Sequence, residues 1–361
     1  MGGSLTRNAV CLCTDRNMVL PALFVAAEAA RRAGGAYDVH ILAESGELQD
    51  EHVRWMAAHG IQRIAGLDFA RLRRIAIADK RLTAATLIRL LMPEILAGRY
   101  DRVLYLDADV EICGDIAPLF GLDLGGAPLA AVPLVRASDG GAPGFDRGNE
   151  ARFRALGMTR PYRYFNSGVM LIDTQRWIAQ DLGERLLDFI ERNTELCKLP
   201  DEDALNAVLD GGIAEISPIW NFRSWERTLP RIRKRVAPVI LHYDGPEKPW
   251  RRFSARRRLF SLEGPYRRYR RFAAGTPWLG WLERQWSVRD LRDNVRFELT
   301  VLANRLRGKG TRGVRAAAVA RKQRKKYCHR LRQMPFADVA QGIAVFRDGK
   351  LMPNTAAHGI R

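Results

Sequence analysis

Short apolar segments alternate with amphipathic ones over the first 110 residues of the chain. The apolar runs predict strands at Ala9–Cys13, Val39–Ala43, Ile61–Leu67 and Val103–Leu106. Between them, apolar residues at helical spacing predict helices at Leu20–Arg32, Val53–His59 and Thr83–Leu96. Such strand–helix alternation is typical of a Rossmann-like sheet flanked by helices.

The middle of the chain continues this pattern with shorter elements. We predict strands at Val169–Ile172 and Pro238–His242, and helices at Trp177–Arg192 and Asp203–Leu209. The chain is therefore expected to be an α/β protein. In open sheets of this kind, ligands lie beyond the carboxyl ends of the strands.

Charge is distributed unevenly along the chain. The formal net charge is +19, yet residues 251–335 contain 25 Lys and Arg against five acids, which leaves the rest close to neutral. Aromatic residues are interleaved with these arginines. We therefore predict a catalytic domain at 1–250, a basic, aromatic-rich helical segment at 251–335 and a tail at 336–361.

Targeting signals are weak in this sequence. The five cysteines show no zinc spacing, the amino terminus lacks an apolar signal core, and no apolar run approaches bilayer length. We expect reduced thiols and a cytoplasmic location.

Two carboxylates follow the predicted strand Val103–Leu106. Asp107 and Asp109 are one residue apart, and alternate residues of an extended chain point the same way. Converging anions suit a divalent metal with oxygen ligands. The alternative is a turn with two solvated acids.

A second polar segment follows the last predicted strand. His242 ends that strand and precedes a loop with Gly245 and Lys248. A neutral imidazole can be a third metal ligand and favours Mn²⁺ over Mg²⁺. The Gly245 amide and the Lys248 ammonium can meet a diphosphate charge. The alternative is a partly buried histidine with an ordinary hydrogen bond.

At these residues the chain resembles the family 8 glycosyltransferases, which include bacterial lipopolysaccharide galactosyl- and glucosyltransferases. The resemblance covers about Ala9 to Trp250 and rests on six segments in the expected order. They are Cys11–Asn17, the helix around Arg89, Asp107–Asp109, Tyr164–Asp173, Pro200–Asn206 and His242–Trp250. It implies a GT-A fold with a mixed sheet, and retaining transfer of a hexose from a UDP-sugar to a hydroxyl of a glycan acceptor.

The resemblance also assigns roles to residues. The metal, Mn²⁺ or alternatively Mg²⁺, would be held by Asp107, Asp109 and His242. Contacts with the donor would come from Cys13, Asp15, Asn17, Arg89, Asp107, Ala108, Asn166, Gly168, Gly245 and Lys248. Asp201 and Glu202 would be catalytic, Asp201 by orienting the sugar hydroxyls and Glu202 near the anomeric carbon.

Two positions depart from the family pattern. Met18 stands where relatives commonly have an aromatic residue that stacks on uracil. Glu202 stands where relatives usually have glutamine. A carboxylate can attack an anomeric carbon, whereas an amide is a poor nucleophile. The sequence thus leaves two mechanisms open, one through a covalent sugar intermediate and one through same-face attack.

Other functions were weighed against this one. Leu106–Val110 also fits the start of a haloacid-dehalogenase-type phosphatase, although about 100 residues precede it. The arginine clusters of 251–335 could bind nucleic-acid phosphates. We instead predict that this segment attaches peripherally to an anionic membrane on its cytoplasmic face, near a lipid-linked glycan acceptor, with no specific nucleic acid.

Overall fold

Strands and helices alternate through most of the chain, as the hydrophobic pattern predicts. The structure is a computed structural model. It describes residues 7–64, 69–77, 83–134, 147–160, 164–223, 237–244, 248–251, 265–285, 288–306, 345–347 and 350–352. The predictions made for residues between these ranges lie outside the described residues.

Up to residue 134, the described residues form six strands and four α-helices. The strands are β1 (Asn8–Thr14), β2 (Asp38–Ala43), β3 (Ile61–Ile64), β4 (Arg102–Leu106), β5 (Val110–Ile112) and β6 (Leu129–Pro133). The helices are α1 (Val19–Arg32), α2 (Asp50–Ala58), α3 (Ala70–Arg74) and α4 (Ala85–Leu96). The predicted elements of this region are confirmed, with shifts of a few residues at their ends.

The remaining elements lie after residue 134. The helices are α5 (Arg147–Ala155), α6 (Thr174–Ala179), α7 (Leu182–Arg192), α8 (Pro200–Val208), α9 (Pro265–Ala274), α10 (Leu279–Glu283) and α11 (Val288–Leu306). The strands are β7 (Phe165–Asp173), β8 (Ala214–Ile216), β9 (Phe222–Arg223), β10 (Ile240–His242), β11 (Val345–Arg347) and β12 (Lys350–Met352).

The single helix predicted at Trp177–Arg192 is wrong, because α6 and α7 are separate. Asp181 between them has a φ of 50°, a left-handed conformation that ends one helix and lets the next begin in a new direction. A Cβ at Gly183 would lie 2.1 Å from Glu94 Oε1. Glycine there lets the start of α7 pack closely against α4.

Nine of the described strands form one mixed sheet in the order β12-β11-β8-β6-β7-β4-β1-β2-β3. β1 is parallel to β2 and β4, and β2 is parallel to β3, so these four strands end at the same edge. β7 is antiparallel to β4, with Val169 opposite Leu106. The first residues of β7 therefore lie beside the carboxyl end of β4.

A smaller sheet of β5, β10 and β9 stands next to this edge. β10 is antiparallel to β5 and pairs His242 with Val110. This register brings His242 next to the residue that follows Asp109, although more than 130 positions separate them in sequence. The pairing of two short strands is thus what assembles the candidate metal ligands.

Alternate residues of the central strands face two separate apolar layers. Val10 and Leu12 of β1 point toward the layer that contains α1, while Ala9 and Cys11 point toward the layer that contains α4. This period of two is expected for a sheet covered by helices on both faces. Both layers are continuous, and the sheet is buried where it carries the site.

The carboxyl-terminal helices pack against the first layer. Tyr266 and Tyr269 of α9 are buried, and the Tyr269 ring stacks on Phe24 of α1 with centroids 4.1 Å apart. These two aromatic rings, which the sequence analysis assigned to a membrane-facing segment, are therefore core residues. In the predicted tail, β11 and β12 form a hairpin whose first strand pairs with β8. Among the described residues, no helix is both long and apolar enough to cross a bilayer.

Candidate active site

Three potential metal ligands converge between the two sheets. Asp107 follows β4, Asp109 precedes β5, and His242 ends β10. His242 Nε2 lies 3.2 Å from Asp109 Oδ1 and 3.7 Å from Asp107 Oδ2. One ligand atom of each side chain lies within 4.8 Å of the others. Two carboxylates and an imidazole at these separations form a donor set that suits a divalent cation such as Mn²⁺.

The imidazole of His242 is oriented by an amide. His242 Nδ1 lies 2.8 Å from Asn221 Oδ1. Asn221 Nδ2 donates to Asn166 Oδ1 at 2.7 Å, which turns the Asn221 oxygen toward the ring. Nδ1 therefore donates to Asn221. Burial opposes the protonated imidazole, but the charges of Asp109 and Asp107 outweigh it and raise the pKa of His242. A bound cation would take the place of the proton on Nε2, which faces the carboxylates, while Asn221 keeps its contact with Nδ1. A partner of this kind on the distal nitrogen is what orients metal-binding histidines.

Gly168 of β7 makes room for these ligands. A Cβ at this position would lie 2.3 Å from His242 Cε1 and 2.7 Å from Asp107 Oδ2, closer than real Cβ contacts allow. The Asp107 amide also donates to the Gly168 carbonyl at 2.8 Å. The approach of imidazole and carboxylate thus requires glycine here.

Lys248 compensates the charge of Asp109. Its Nζ lies 2.5 Å from Asp109 Oδ2 and donates to the Tyr243 carbonyl at 2.8 Å. Burial favours the protonated acid, but the charges of His242 and Lys248 outweigh it and hold the pKa of Asp109 well below its usual range. Asp109 is therefore ionised at neutral pH.

Arg89 compensates Asp107 from the opposite side. Its Nη1 lies 3.0 Å from Asp107 Oδ1 and 3.1 Å from Asp201 Oδ2, and its Cζ lies 4.7 Å from the centroid of the Tyr105 ring. The Tyr105 hydroxyl donates to Asp107 Oδ1 at 2.7 Å. The buried guanidinium thereby connects the metal-binding acids with those of α8.

Asp201 and Glu202 occupy the first turn of α8. Glu202 Oε2 accepts hydrogen bonds from Asn166 Nδ2 at 2.8 Å and from the Ser167 amide at 3.1 Å. Ser167 Oγ donates to Asp201 Oδ2 at 3.0 Å. Burial, together with the charge of Asp201, raises the pKa of Glu202 to about 7. Glu202 can therefore exchange a proton near neutral pH.

Two further polar residues of α8 fix this helix to β7. Asn206 Oδ1 accepts from the Phe165 amide at 2.6 Å, and Asn206 Nδ2 donates to the Phe165 carbonyl at 2.9 Å. Asp203 accepts from Arg152 Nη1 at 2.7 Å and from the Tyr164 hydroxyl at 2.8 Å. These contacts fix the two preceding acids of α8 next to the start of β7.

A cavity of 230 Å³ opens at the carboxyl end of β1. Asp15 Oδ1 accepts from the amides of Asn17 and Met18 at 2.9 and 3.2 Å, and Asp15 Oδ2 accepts from Thr83 Oγ1 at 2.8 Å. Residues that line the cavity include Thr14, Asp15, Asn17, Phe69, Thr83 and Ile88. Because Ile88 precedes Arg89, α4 joins this cavity to the metal-binding acids.

Most of the predicted site residues form one connected network of polar contacts. Its members are Arg89, Asp107, Asp109, Asn166, Gly168, Asp201, Glu202, His242 and Lys248. Ala108 is buried in the turn between the two acids. Cys13 is buried at the end of β1, and Asp15 and Asn17 line the cavity that opens there. Gly245 lies outside the described residues. The ligand contacts assigned to all of these residues stay predictions.

Three residues that orient the others have no predicted role in the sequence. Tyr105 lies two positions before Asp107, so strand alternation could have placed its hydroxyl on the same side. Ser167 stands inside the Tyr164–Asp173 segment but received no role. Asn221 had no sequence signal, because only the folded chain brings it to His242.

An acid-x-acid turn and a distant histidine at the ends of neighbouring strands give this α/β protein of the GT-A type a possible metal site. The model of the family "Glycosyl transferase family 8" matches residues 9–254. The chain belongs to this family.

Two curated relatives support this family assignment. The chain is 30% identical over 189 residues to general stress protein A of Bacillus subtilis (strain 168), covering 48% of this chain and 62% of that protein. It is 31% identical over 178 residues to the lipopolysaccharide 1,2-glucosyltransferase of Escherichia coli (strain K12), covering 47% and 50%. The matches therefore span about half to two thirds of these relatives' length.

The solved structures show that the fold is shared. The galactosyltransferase LgtC, crystallised with donor and acceptor sugar analogs, has a TM-score of 0.60 and 24% identity, covering 76% of this chain and 99% of LgtC. The predicted GT-A mixed sheet is thus confirmed. Neither alternative function is supported, and the acid pair follows the fourth strand, whereas the phosphatase pattern requires the first.

Proposed function

We propose that this protein is a retaining hexosyltransferase that moves a hexose from a UDP-sugar to a hydroxyl of a glycan acceptor in cell-surface polysaccharide synthesis. The observation that carries this proposal is the convergence of Asp107, Asp109 and His242 beside Lys248. The lipopolysaccharide glucosyltransferase activity named for one relative supports the acceptor class.

The metal-binding residues fit a cation that meets a diphosphate. A divalent cation bound there, Mn²⁺ or alternatively Mg²⁺, would neutralise the diphosphate and act as a Lewis acid for the leaving UDP. Asp107 and Asp109 provide anionic oxygen ligands, and His242 presents Nε2. Lys248, together with the Gly245 amide, would add positive charge where the leaving group develops negative charge.

The acids of α8 lie where the sugar would be held. In the transfer, the bond from the anomeric carbon to UDP breaks with its electron pair leaving on UDP. A bond to the acceptor oxygen forms, and the acceptor hydroxyl passes its proton to a phosphate oxygen of the leaving UDP. Asp201, held by Arg89 and Ser167, would accept hydrogen bonds from sugar hydroxyls. Glu202 would lie beside the anomeric carbon, as nucleophile or as a stabilising anion for the oxocarbenium-like state.

Hydrolysis of UDP-sugars without an acceptor tests this proposal. We expect one UDP-hexose to be hydrolysed when Mn²⁺ is added and to be stable in a chelator. A panel of UDP-sugars that are all untouched, with Mn²⁺ present, would contradict it. Glu202→Gln then separates the mechanisms, because near-normal transfer by that variant excludes an obligatory glutamyl intermediate.

We propose a second property, peripheral attachment to an anionic membrane on its cytoplasmic face, through the 251–335 segment. It is supported by the exposed apolar residues of α11, where Val288 and Leu306 are 76% and 81% exposed. At about 100° per residue, these two and the intervening exposed apolar residues fall within roughly 60° of the helix circumference. That stripe consists of Val288, Val295, Leu299, Leu302 and Leu306.

Vesicle co-sedimentation tests membrane attachment. Deletion of 251–335 would remove the buried Tyr269, so substitution on the exposed stripe is the cleaner experiment. Leu299→Glu with Leu306→Glu should abolish binding to anionic vesicles, whereas Ile178→Glu, on the exposed surface of α6, should not. Binding of the parent to DNA in preference to such vesicles would support the nucleic-acid alternative instead.

A further inference from the structure

A cluster of charged and polar groups lies behind the metal-binding residues and is not used by the proposed reaction. Arg268 of α9 donates from Nη2 to Oε2 of Glu111 of β5 at 2.7 Å, and its Nε lies 2.6 Å from Oε1 without a hydrogen bond. The Tyr243 hydroxyl donates to Glu111 Oε2 at 2.7 Å. Glu111 is buried, and these two contacts hold its carboxylate in place.

The cluster is connected to the metal-binding residues through the main chain. The Tyr243 amide donates to the Asp109 carbonyl at 2.9 Å, and the Tyr243 carbonyl accepts from Lys248 Nζ. Tyr243 follows His242 directly, and Glu111 pairs with Leu241 across the β5–β10 ladder. A shift of Glu111 or Tyr243 would therefore move Asp109, His242 and Lys248 together.

Arg268 itself is anchored by the packing of α9. Tyr269 next to it is fully buried, stacks on Phe24 and lies 5.7 Å from the Trp250 ring. α9 begins eleven residues after the end of the family match at 254. The support for the metal-binding residues thus comes from a segment outside the family-defining part of the chain.

We propose that Arg268 is a positioning residue that holds Asp109, His242 and Lys248 in their metal-binding arrangement through Glu111 and Tyr243, an inference that rests on the proposed function of the site. The charge-assisted hydrogen bond from Nη2, with the guanidinium packed along the carboxylate, fixes the position of Glu111. Without Arg268, Glu111 would be a buried anion that lacks its cationic partner, and it would turn toward water. Tyr243 would then lose its partner, and the β5–β10 ends would separate.

Binding of Mn²⁺ alone to the full chain, measured by titration calorimetry or by electron paramagnetic resonance, tests this inference. Removal of an outer partner of a metal ligand typically costs 10–100-fold in affinity, and we expect Arg268→Met to weaken Mn²⁺ binding about 10-fold. Arg268→Lys keeps the positive charge but lacks the planar guanidinium, and we expect it to recover part of the lost Mn²⁺ affinity. Arg271→Met, an exposed arginine of the same helix, is the matched control and should bind Mn²⁺ within about twofold of the parent.

A residue that only stabilised the fold would lower the melting temperature without changing the Mn²⁺ affinity of the folded protein. Equal Mn²⁺ affinities for Arg268→Met and Arg271→Met would overturn the inference. If Arg268→Met does not fold, Tyr243→Phe decides, since it removes one hydroxyl and keeps the ring. We expect it to weaken binding measurably, and unchanged affinity would overturn the inference.

The same titrations keep this inference separate from the proposed function. A parent protein that binds Mn²⁺ but transfers no sugar would contradict the proposed function, while the affinities of the Arg268 variants would still decide the inference. With an active parent, hydrolysis by Arg268→Met should return toward the parental kcat at saturating Mn²⁺. A kcat that stays low with unchanged metal affinity would contradict a positioning role.

Discussion

Two clusters of acids lie within one site and have opposite electrostatic surroundings. Asp109 is held by His242 and Lys248, and its pKa is lowered. Glu202 accepts its hydrogen bonds from the neutral donors Asn166 and Ser167, and burial raises its pKa to about 7. The same type of side chain is thus kept ionised at one end and close to its protonation midpoint at the other.

This difference indicates a division of roles. An acid that is ionised at all working pH values is suited to bind a cation. An acid whose charge is disfavoured by burial is suited to react with, or to stabilise, a cation that forms during the reaction. Pairs of acids separated in this way are a common feature of enzymes that handle charge at two points of one substrate.

The largest expected effect comes from removing the cation-binding charge. Asp107→Asn retains the size of the side chain but loses an anionic ligand, and a Lewis-acid contribution is worth several kcal/mol. We expect Mn²⁺-dependent hydrolysis of the UDP-sugar to fall by about 100- to 1000-fold at 1 mM Mn²⁺. Steady-state assays over a range of Mn²⁺ concentrations measure this loss. Full activity of the variant without extra metal would show that Asp107 does not serve to bind a cation. The proposed difference between the two clusters would then be wrong.

Much of the fold follows from local patterns in the sequence. Strands β1, β2 and β4 are largely apolar runs with helices between them, and such runs predict elements without knowledge of the rest of the chain. β3 has Gln62 and Arg63 between two isoleucines and carries a weaker signal. The interruption at Asp181 was missed, because the apolar periodicity on both sides of it outweighed a weak signal. Aspartate adopts the left-handed conformation and precedes helices more often than most residues do. The packing of α9 was also missed, since its arginines and aromatic residues have the same composition in a membrane segment and in a docked helix.

The site was predictable where the ligands stand in compact segments. Asp107 and Asp109 are one residue apart and their carboxylates do converge, but they stand in a turn between β4 and β5 and not in the extended chain that the sequence analysis assumed. Their proximity to His242 depends on the β5–β10 register, which the family resemblance implied and spacing could not. The role of Asn221 depends on a contact between two distant turns, so no pattern in the sequence contains it.

The second prediction changes the metal-binding cluster without changing its charge. In Gly168→Ala, the new Cβ would collide with His242 and Asp107, so one ligand must move. We expect about 100-fold weaker Mn²⁺-dependent hydrolysis, equivalent to about 2.7 kcal/mol. Gly121→Ala is the control, because a Cβ there meets nothing within 4 Å. If both variants hydrolyse the UDP-sugar at the parental rate, hydrolysis does not depend on the close approach of His242 and Asp107 at Gly168.

The third prediction tests the other cluster through pH. The pKa of Glu202 is raised from 4.5 to about 7 in the folded chain. Below about pH 4.5 the acid is neutral in both states and costs nothing, and the destabilisation grows as the pH rises and is complete above about pH 7. Glu202→Gln removes that cost and keeps an acceptor for Asn166.

We expect Glu202→Gln to be more stable than the parent by about 2 kcal/mol at pH 8, less than the roughly 3 kcal/mol that the whole shift represents, because a charged Glu202 would relax. Near pH 5 the two should differ little. Urea unfolding in a chelator, at both pH values, measures the difference. A variant that is less stable than the parent at pH 8 would show that the ionised form of Glu202 does not destabilise the folded chain.

The smallest expected effect concerns the neutral contact that joins the two clusters. Asn221 accepts from His242 Nδ1 and donates to Asn166, which in turn donates to Glu202. Asn221→Ala frees the imidazole to rotate, and we expect about 10-fold weaker Mn²⁺ binding, the lower end of such outer-partner effects. Asn221→Asp keeps an acceptor for Nδ1 and should restore affinity while it places a new anion next to Asn166. Asn221→Asp can also lower donor hydrolysis at saturating Mn²⁺. In that case a charge introduced beside His242 affects Glu202 through Asn166, and the two clusters are coupled.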